Sequence, residues 1–227
     1  GTLETDNLTV GGAQGSDGQV LTSTGSGVAW EDAVTGTTNI NGLSDAKTFG
    51  TSSIMLGDAS TGTIDAANYN TGVGVDIFAA LTSGDNNTAV GYGTLAANTT
   101  GHSNTAVGKS ALAANTEGFH NVAIGLSAMD AMTVGDYNTA LGGGALGADT
   151  TGAGSTAIGY AALTAQNSTT SADMFNVAVG REAGAAVTTG TQNTLVGTRA
   201  GDAITTASNN VAVGEDSLGA NTTGGNN

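Results

Sequence analysis

From Ser53 onward, apolar and polar residues recur at fixed places in a unit of 17 residues. The unit opens on a pentad: N-T-A-V-G at 87–91 and again at 104–108, N-V-A-I-G at 121–125, N-T-A-L-G at 138–142 and S-T-A-I-G at 155–159. Units begin at Ser53, Asn70, Asn87, Asn104, Asn121, Asn138, Ser155, Asn176, Asn193 and Asn210, and the unit at Ser155 has four extra residues, which fall within Gln166 to Phe175. A short fixed period of this kind is the signature of a stacked repeat architecture, in which each unit buries its apolar face only against its neighbours.

The columns predict the elements. The second place is Thr or Val except for Ile54, the third is Ala in seven units with Met55, Gly72 and Leu195 as exceptions, and the fourth is always Val, Ile or Leu. Alternate places on a strand share a face, so the second and fourth are expected to line a core and the small third place to face another chain. The fifth place is glycine in every unit (Gly57, Gly74, Gly91, Gly108, Gly125, Gly142, Gly159, Gly180, Gly197 and Gly214), which suits a corner where φ is positive or a Cβ would collide. Ala at the eighth place, Leu at the ninth (Leu95, Leu112, Leu146, Leu163, Leu218) and Ala at the eleventh predict a second strand, and runs such as N-T-T-G at 98–101 predict a polar corner. A helical hairpin does not fit in 17 residues, and two glycines per unit would cost it about 2 kcal/mol against alanine.

The expected fold is therefore all-β: a β-solenoid (β-roll) of ten two-strand coils over residues 53–227, about 50 Å long at about 4.8 Å per coil. Both strand faces are apolar or small, and one coil interior hides one of them, so a homo-oligomer is expected. Residues 1–52 lack the repeat. Leu3 to Val10 reads as a strand, and Gln19–Ser23 and Val28–Asp32 as a hairpin anchored by Trp30, together a small β cap followed by a linker or degenerate coil at 33–52. Asn227 would open an eleventh unit, so the native protein is expected to continue.

Composition narrows the function. With 38 glycines, no proline, no cysteine and one tryptophan, the interior must be thin and built from small side chains. A net charge of -15 argues against nucleic acid as a partner, and no apolar run reaches the roughly 18 residues of a membrane-spanning helix, so no membrane insertion is expected.

Candidate chemistry is sparse. His102 and His120 stand at the sixteenth and seventeenth places, where other units have Asp, Ser, Asn, Tyr or Phe. Acids fall one per unit at variable places rather than in pairs, so no catalytic, cofactor or metal residue is assigned and the chain is not expected to be an enzyme. Glu182, Arg199 and Asp216 share the seventh place in consecutive units and should form a charge column, and the first-place asparagines a hydrogen-bonded ladder. Tyr92, Phe119, Tyr137 and Tyr160 are the candidates for touching a glycan or a protein partner.

The N-[TV]-A-[VIL]-G pentads resemble the N-S-V-A-I-G motif in the heads of trimeric autotransporter adhesins, and the unit N-T-A-V-G-K-S-A-L-A-A-N-T-E-G-F-H at 104–120 resembles repeats of bacteriophage tail fibres. The segment G-S-D-G-Q-V-L-T-S-T-G-S-G-V-A-W at 15–30 is similar to stretches of phage structural proteins. The resemblance implies a left-handed roll packed as a parallel homotrimer, located outside the cell on a virion or cell surface. It implies the shaft of a phage tail or virion fibre supporting host attachment, with other virion proteins and a host surface glycan as partners. The alternatives are a bacterial trimeric adhesin head and, less favoured, a tailspike-type glycan depolymerase.

Overall fold

The computed structural model describes residues 53–57, 66–168, 170 and 172–227, together with the backbone of five strands before Ser53. The chain divides into two units, Gly1–Asn39 and Ile40–Asn227. In the first, β1 (Thr9–Val10) pairs antiparallel with β2 (Ala13–Gln14), and β3 (Gln19–Ser23) with β4 (Val28–Asp32), in a register that sets Leu21 opposite Trp30. The remainder of the strand expected over 3–10, and the side chain of Trp30, lie outside the described residues.

The second unit is a β-solenoid with one strand per coil. Ten three- or four-residue strands, β6 (Ser53–Leu56) through β15 (Val211–Val213), stack in parallel, each paired with the next unit's strand in the register the 17-residue period sets: Thr105 with Val122, Ala106 with Ala123, Val107 with Ile124. The four extra residues leave this register intact, since Thr156 pairs with Val177, and they bulge at the polar corner, where Ala153 bridges Asp173. At the first coil, β5 (Ala46–Phe49) runs antiparallel to β6 and covers its edge.

Two expectations are corrected. The second half of each unit is not a strand but a chain of turns, because the seventh and ninth places take positive φ: Ser110 at 58° and Leu112 at 50°, Ala161 at 54° and Leu163 at 49°. Alternation of that kind cannot make an extended strand. Inter-coil bonds nevertheless persist there, as from Leu112 N–H to the Ala128 carbonyl at 3.0 Å.

The strand faces are also the reverse of the expectation. Third-place Ala89, Ala106, Ala123, Ala140, Ala157 and Ala178 are fully buried inside the single chain, whereas fourth-place Val73, Val90, Leu141 and Val213 are exposed. The coil is too narrow for two large layers: third-place alanine packs across from ninth-place leucine or methionine. Where one side grows the other shrinks. Leu195 fills the third place between Gly184 and Gly201, whose added Cβ atoms would come within 2.8 and 2.7 Å of its methyl carbons. Gly72 makes room for Ile77 and Phe78 in the same way.

Two polar ladders run through the stack. Each first-place asparagine is buried and accepts the backbone N–H of the next unit's first residue, and from Asn70 to Asn176 its Nδ2 donates to the glycine carbonyl 14 residues on, as Asn87 does to Asn104 N at 3.0 Å and Gly101 O at 2.9 Å, whereas Asn193 donates to the Ala207 carbonyl. At Ser155 the side chain is too short to continue, and Gln166 substitutes, its Oε1 accepting from Asn176 Nδ2 at 2.9 Å and its Nε2 donating to buried Asp149 at 2.6 Å. On the far side, threonine hydroxyls at the thirteenth place donate to the next coil's backbone, Thr99 to Thr116 O at 3.0 Å and Thr188 to Thr205 O at 3.1 Å. Buried backbone groups that a narrow coil cannot pair within itself are thus paired along its axis.

Candidate functional site

Because every coil repeats the same backbone, whatever is specific about this chain lies at the places where its side chains vary. The ten corner glycines do not vary: all have φ between 118° and 143°. A Cβ at Gly142 would sit 2.3 Å from the Gly159 carbonyl oxygen, so the corner has no space for any other residue. These are structural positions. The variable side chains form three surfaces.

The first surface is the outer face of the sheet. Second-place Thr and Val and fourth-place Val, Ile and Leu make two parallel columns with no charged residue in any of the ten coils. All of the fourth-place side chains are half-buried or exposed, from Leu56 through Ile124 and Ile158 to Val213. In a chain with 19 acids, an uncharged strip running the length of the stack, apolar at the fourth place of every coil, is a surface suited to contact.

The second lies at the polar corner, where the sixteenth and seventeenth places of consecutive units stand over one another. His102 stacks on Phe119 with centroids 4.9 Å apart, and His120 on Tyr137 at 5.2 Å; the two pairs meet edge-on, Phe119 to Tyr137 at 5.3 Å and His102 to His120 at 5.6 Å. Asp136 holds the base of the cluster by accepting the Phe119 N–H at 2.8 Å. Partial burial raises the Asp136 carboxyl above its ordinary range, against the lowering effects of that hydrogen bond and of His102 and His120. Sequence reasoning chose Phe119 and Tyr137 separately and passed over the histidines. The available signal was the period itself, since residues 102 and 119, and 120 and 137, are each 17 apart.

The third surface is the sixth-place column just past the glycine corner, where Tyr92, Lys109, Leu126, Gly143, Tyr160 and Arg181 follow one another. Lys109 Nζ stands 6.0 Å from the Tyr92 ring centroid. Gly143 leaves a gap in the column, and a groove of 280 Å³ opens between Leu126 and Tyr160. The four aromatic candidates therefore divide into two groups, Phe119 and Tyr137 at the polar corner and Tyr92 and Tyr160 in this column.

The expected charge column forms in part. Arg199 makes a bidentate pair with Asp216, at 2.7 and 2.8 Å, which lowers the Asp216 carboxyl and raises the Arg199 guanidinium. Glu182 instead accepts from its neighbour Arg181 at 2.7 Å. Among the described residues no three His, Asp or Glu side chains are placed to share a metal ion, and no helix is long and apolar enough to cross a membrane. The chain matches no family model, no curated protein and no solved structure.

Proposed function

We propose that this solenoid is a structural segment of a trimeric extracellular fibre, of the kind that forms a bacteriophage tail or virion fibre and supports host attachment. The observation that carries the reading is the uncharged outer strip. A chain of net charge -15 that keeps every charge off two adjacent columns through ten coils has a face on which copies of itself can meet without repulsion. Parallel packing of three copies about their long axes would bury the Val, Ile and Leu column against its equivalents, and it needs no other partner. This face replaces the alanine column as the proposed chain contact.

On this reading the segment carries no reaction of its own. Its stiffness comes from axial ladders of buried asparagine and backbone bonds, and contacts with a host-surface glycan or with other virion proteins are made by the varied corners. Mass photometry or sedimentation of the purified chain at micromolar concentration tests the assembly. The expected mass is three times 21.8 kDa, about 65 kDa. A monomer would sink the fibre reading.

A further inference from the structure

We propose that the groove between Leu126 and Tyr160, floored by Gly143, binds one ring of a neutral hexopyranose. The inference deepens the fibre reading by placing a saccharide contact on one stretch of the rod, at residues that reading leaves unassigned.

The groove exists because one side chain is missing. Successive sixth places are about 4.8 Å apart along the stack, so the backbones at Leu126 and Tyr160 lie about 10 Å apart, and the Tyr160 ring leans over Gly143, with Cδ2 and Cε2 3.6 and 3.9 Å from where a Cβ would stand. The space that remains opens onto the exposed Tyr160 ring and the Leu126 side chain, so a flat ring can lie against the tyrosine in van der Waals contact at about 3.5–4.0 Å. The volume of 280 Å³ lies just below the roughly 300–1,000 Å³ of drug-sized ligand sites, which suits a single small ring.

The lining chooses the chemistry. Tyr160 and Leu126 are 62% and 59% exposed, so an aromatic face and an aliphatic wall are both open to a ligand rather than consumed by packing. The C–H face of a pyranose matches an aromatic ring, and its hydroxyls match the hydroxyls of Ser127 and Thr164 on the same lining. A purely apolar occupant would leave those hydroxyls without partners. No charged residue lines the groove, and the chain as a whole is strongly acidic, which disfavours a sugar acid.

Gly143 also provides a clean variant. Unlike the corner glycines it has no positive φ, and a Cβ there would meet Tyr160 Cδ2 at an ordinary 3.6 Å. The same place holds leucine one coil earlier, so Gly143→Leu should fill the groove without disturbing the coil. Saturation-transfer NMR with four neutral sugars (glucose, galactose, mannose and N-acetylglucosamine) and with glucuronate at millimolar concentrations is the test, with mass photometry for oligomer mass and thermal melts to confirm that each variant is folded. The expected result is saturation of the ring-face protons of at least one hexose, with affinity weakened by about tenfold or more in both Gly143→Leu and Tyr160→Ala. Lack of binding by any of the four sugars overturns the proposal, as does binding unchanged by Gly143→Leu. Binding of glucuronate but of no neutral hexose also overturns it. So does a Gly143→Leu variant whose only effect is on oligomer mass, which would make the groove a seat for a second copy of the chain. The two readings remain separable: a monomer that binds sugar keeps this one and loses the fibre, and a trimer that binds none does the reverse.

Discussion

The side-chain oxygen of Asn121 accepts the backbone N–H of Asn138 at 2.9 Å, one coil further along, while its Nδ2 donates to the Gly135 carbonyl at 2.7 Å. One fully buried side chain therefore closes its own coil and ties it to the next. Asn121→Ala leaves an N–H and a carbonyl buried without partners, at about 1–3 kcal/mol each. We expect a loss of about 3 kcal/mol or more in chemical denaturation, with faster amide exchange at Asn138 than at the equivalent Asn193. Asn121→Asp should also destabilise, since it keeps the acceptor but loses the donor to Gly135 and buries a charge.

Adjacent glycines should respond in opposite ways. Gly142→Ala must hold φ near 142° with its Cβ against the Gly159 carbonyl, and a cost of about 3 kcal/mol is expected from strain alone with the collision added. Gly143→Ala meets the Tyr160 ring at 3.6 Å and the Leu126 carbonyl oxygen at 3.7 Å, both ordinary contacts, and should stay within about 0.5 kcal/mol of the parent. Thermal melts of the two variants side by side check the difference.

The complementarity of Leu195 and Gly201 predicts a coupled pair. Gly201→Leu alone drives a side chain into Leu195, and more lightly against the flexible end of Ile204 at 3.0 Å, and should cost about 1–3 kcal/mol by overpacking. Leu195→Ala alone empties the core at that coil and should cost about 2–5 kcal/mol. The double variant restores the alanine and leucine of the other coils, and Gly201 at 62° has nearly the backbone that Leu112 and Leu146 adopt at 50° and 51°. It should be more stable than either single variant. A double-mutant cycle in denaturant that showed simple additivity would refute the complementarity.

That pair also shows where the sequence was legible. The period, the corner glycines, the register and the asparagine ladder all follow from residues repeated in column, because stacking converts identity along the sequence into contact along the axis. Which strand face turned inward did not follow from alternation, since both faces are apolar or small. The deciding signal was covariation within and between neighbouring coils: Leu195 takes the third place where the ninth places on either side, Gly184 and Gly201, are glycine, and Gly72 takes it where the eighth and ninth are Ile77 and Phe78. The turns at the seventh and ninth places were hidden because residues other than glycine occupy most of them, among them Ser, Asp or Ala at the seventh and leucine, which rarely takes positive φ, at the ninth. The ring cluster needed only the 17-residue spacing, whereas the groove depends on a side chain that is absent.

Acid titration should separate two aspartates. Asp216 is held below its ordinary pKa of 3.8 by Arg199, so its contribution to stability is present above that value and disappears as pH falls through the lowered folded-state pKa. Asp136 is raised by burial, so its carboxylate opposes folding at neutral pH, and that cost is relieved as pH falls through the raised value toward 3.8. Asp216→Asn should flatten the loss of stability in acid, and its effect at neutral pH should shrink with added salt. Asp136→Asn retains an oxygen for the Phe119 N–H and should remove the gain on mild acidification. Denaturation midpoints between pH 3 and 7 read both.

Ile158 and Ala157 are neighbours on β12 (Thr156–Ile158) and face opposite ways, so substitutions there distinguish the two sides of the sheet. Ile158 is only half-buried in the single chain, and Ile158→Asp should leave the coil folded while it puts three carboxylates into the proposed trimer contact. Like charges brought together there cost several kcal/mol. A trimer should fall apart to monomers at micromolar concentration, with partial recovery in high salt. Ala157 is fully buried, and Ala157→Leu should instead overpack the coil against Leu163, lowering the melting temperature whatever the oligomeric state. Mass photometry and melts on both variants give four readings. Dissociation by Ala157→Leu with an intact trimer in Ile158→Asp would return the chain contact to the alanine column.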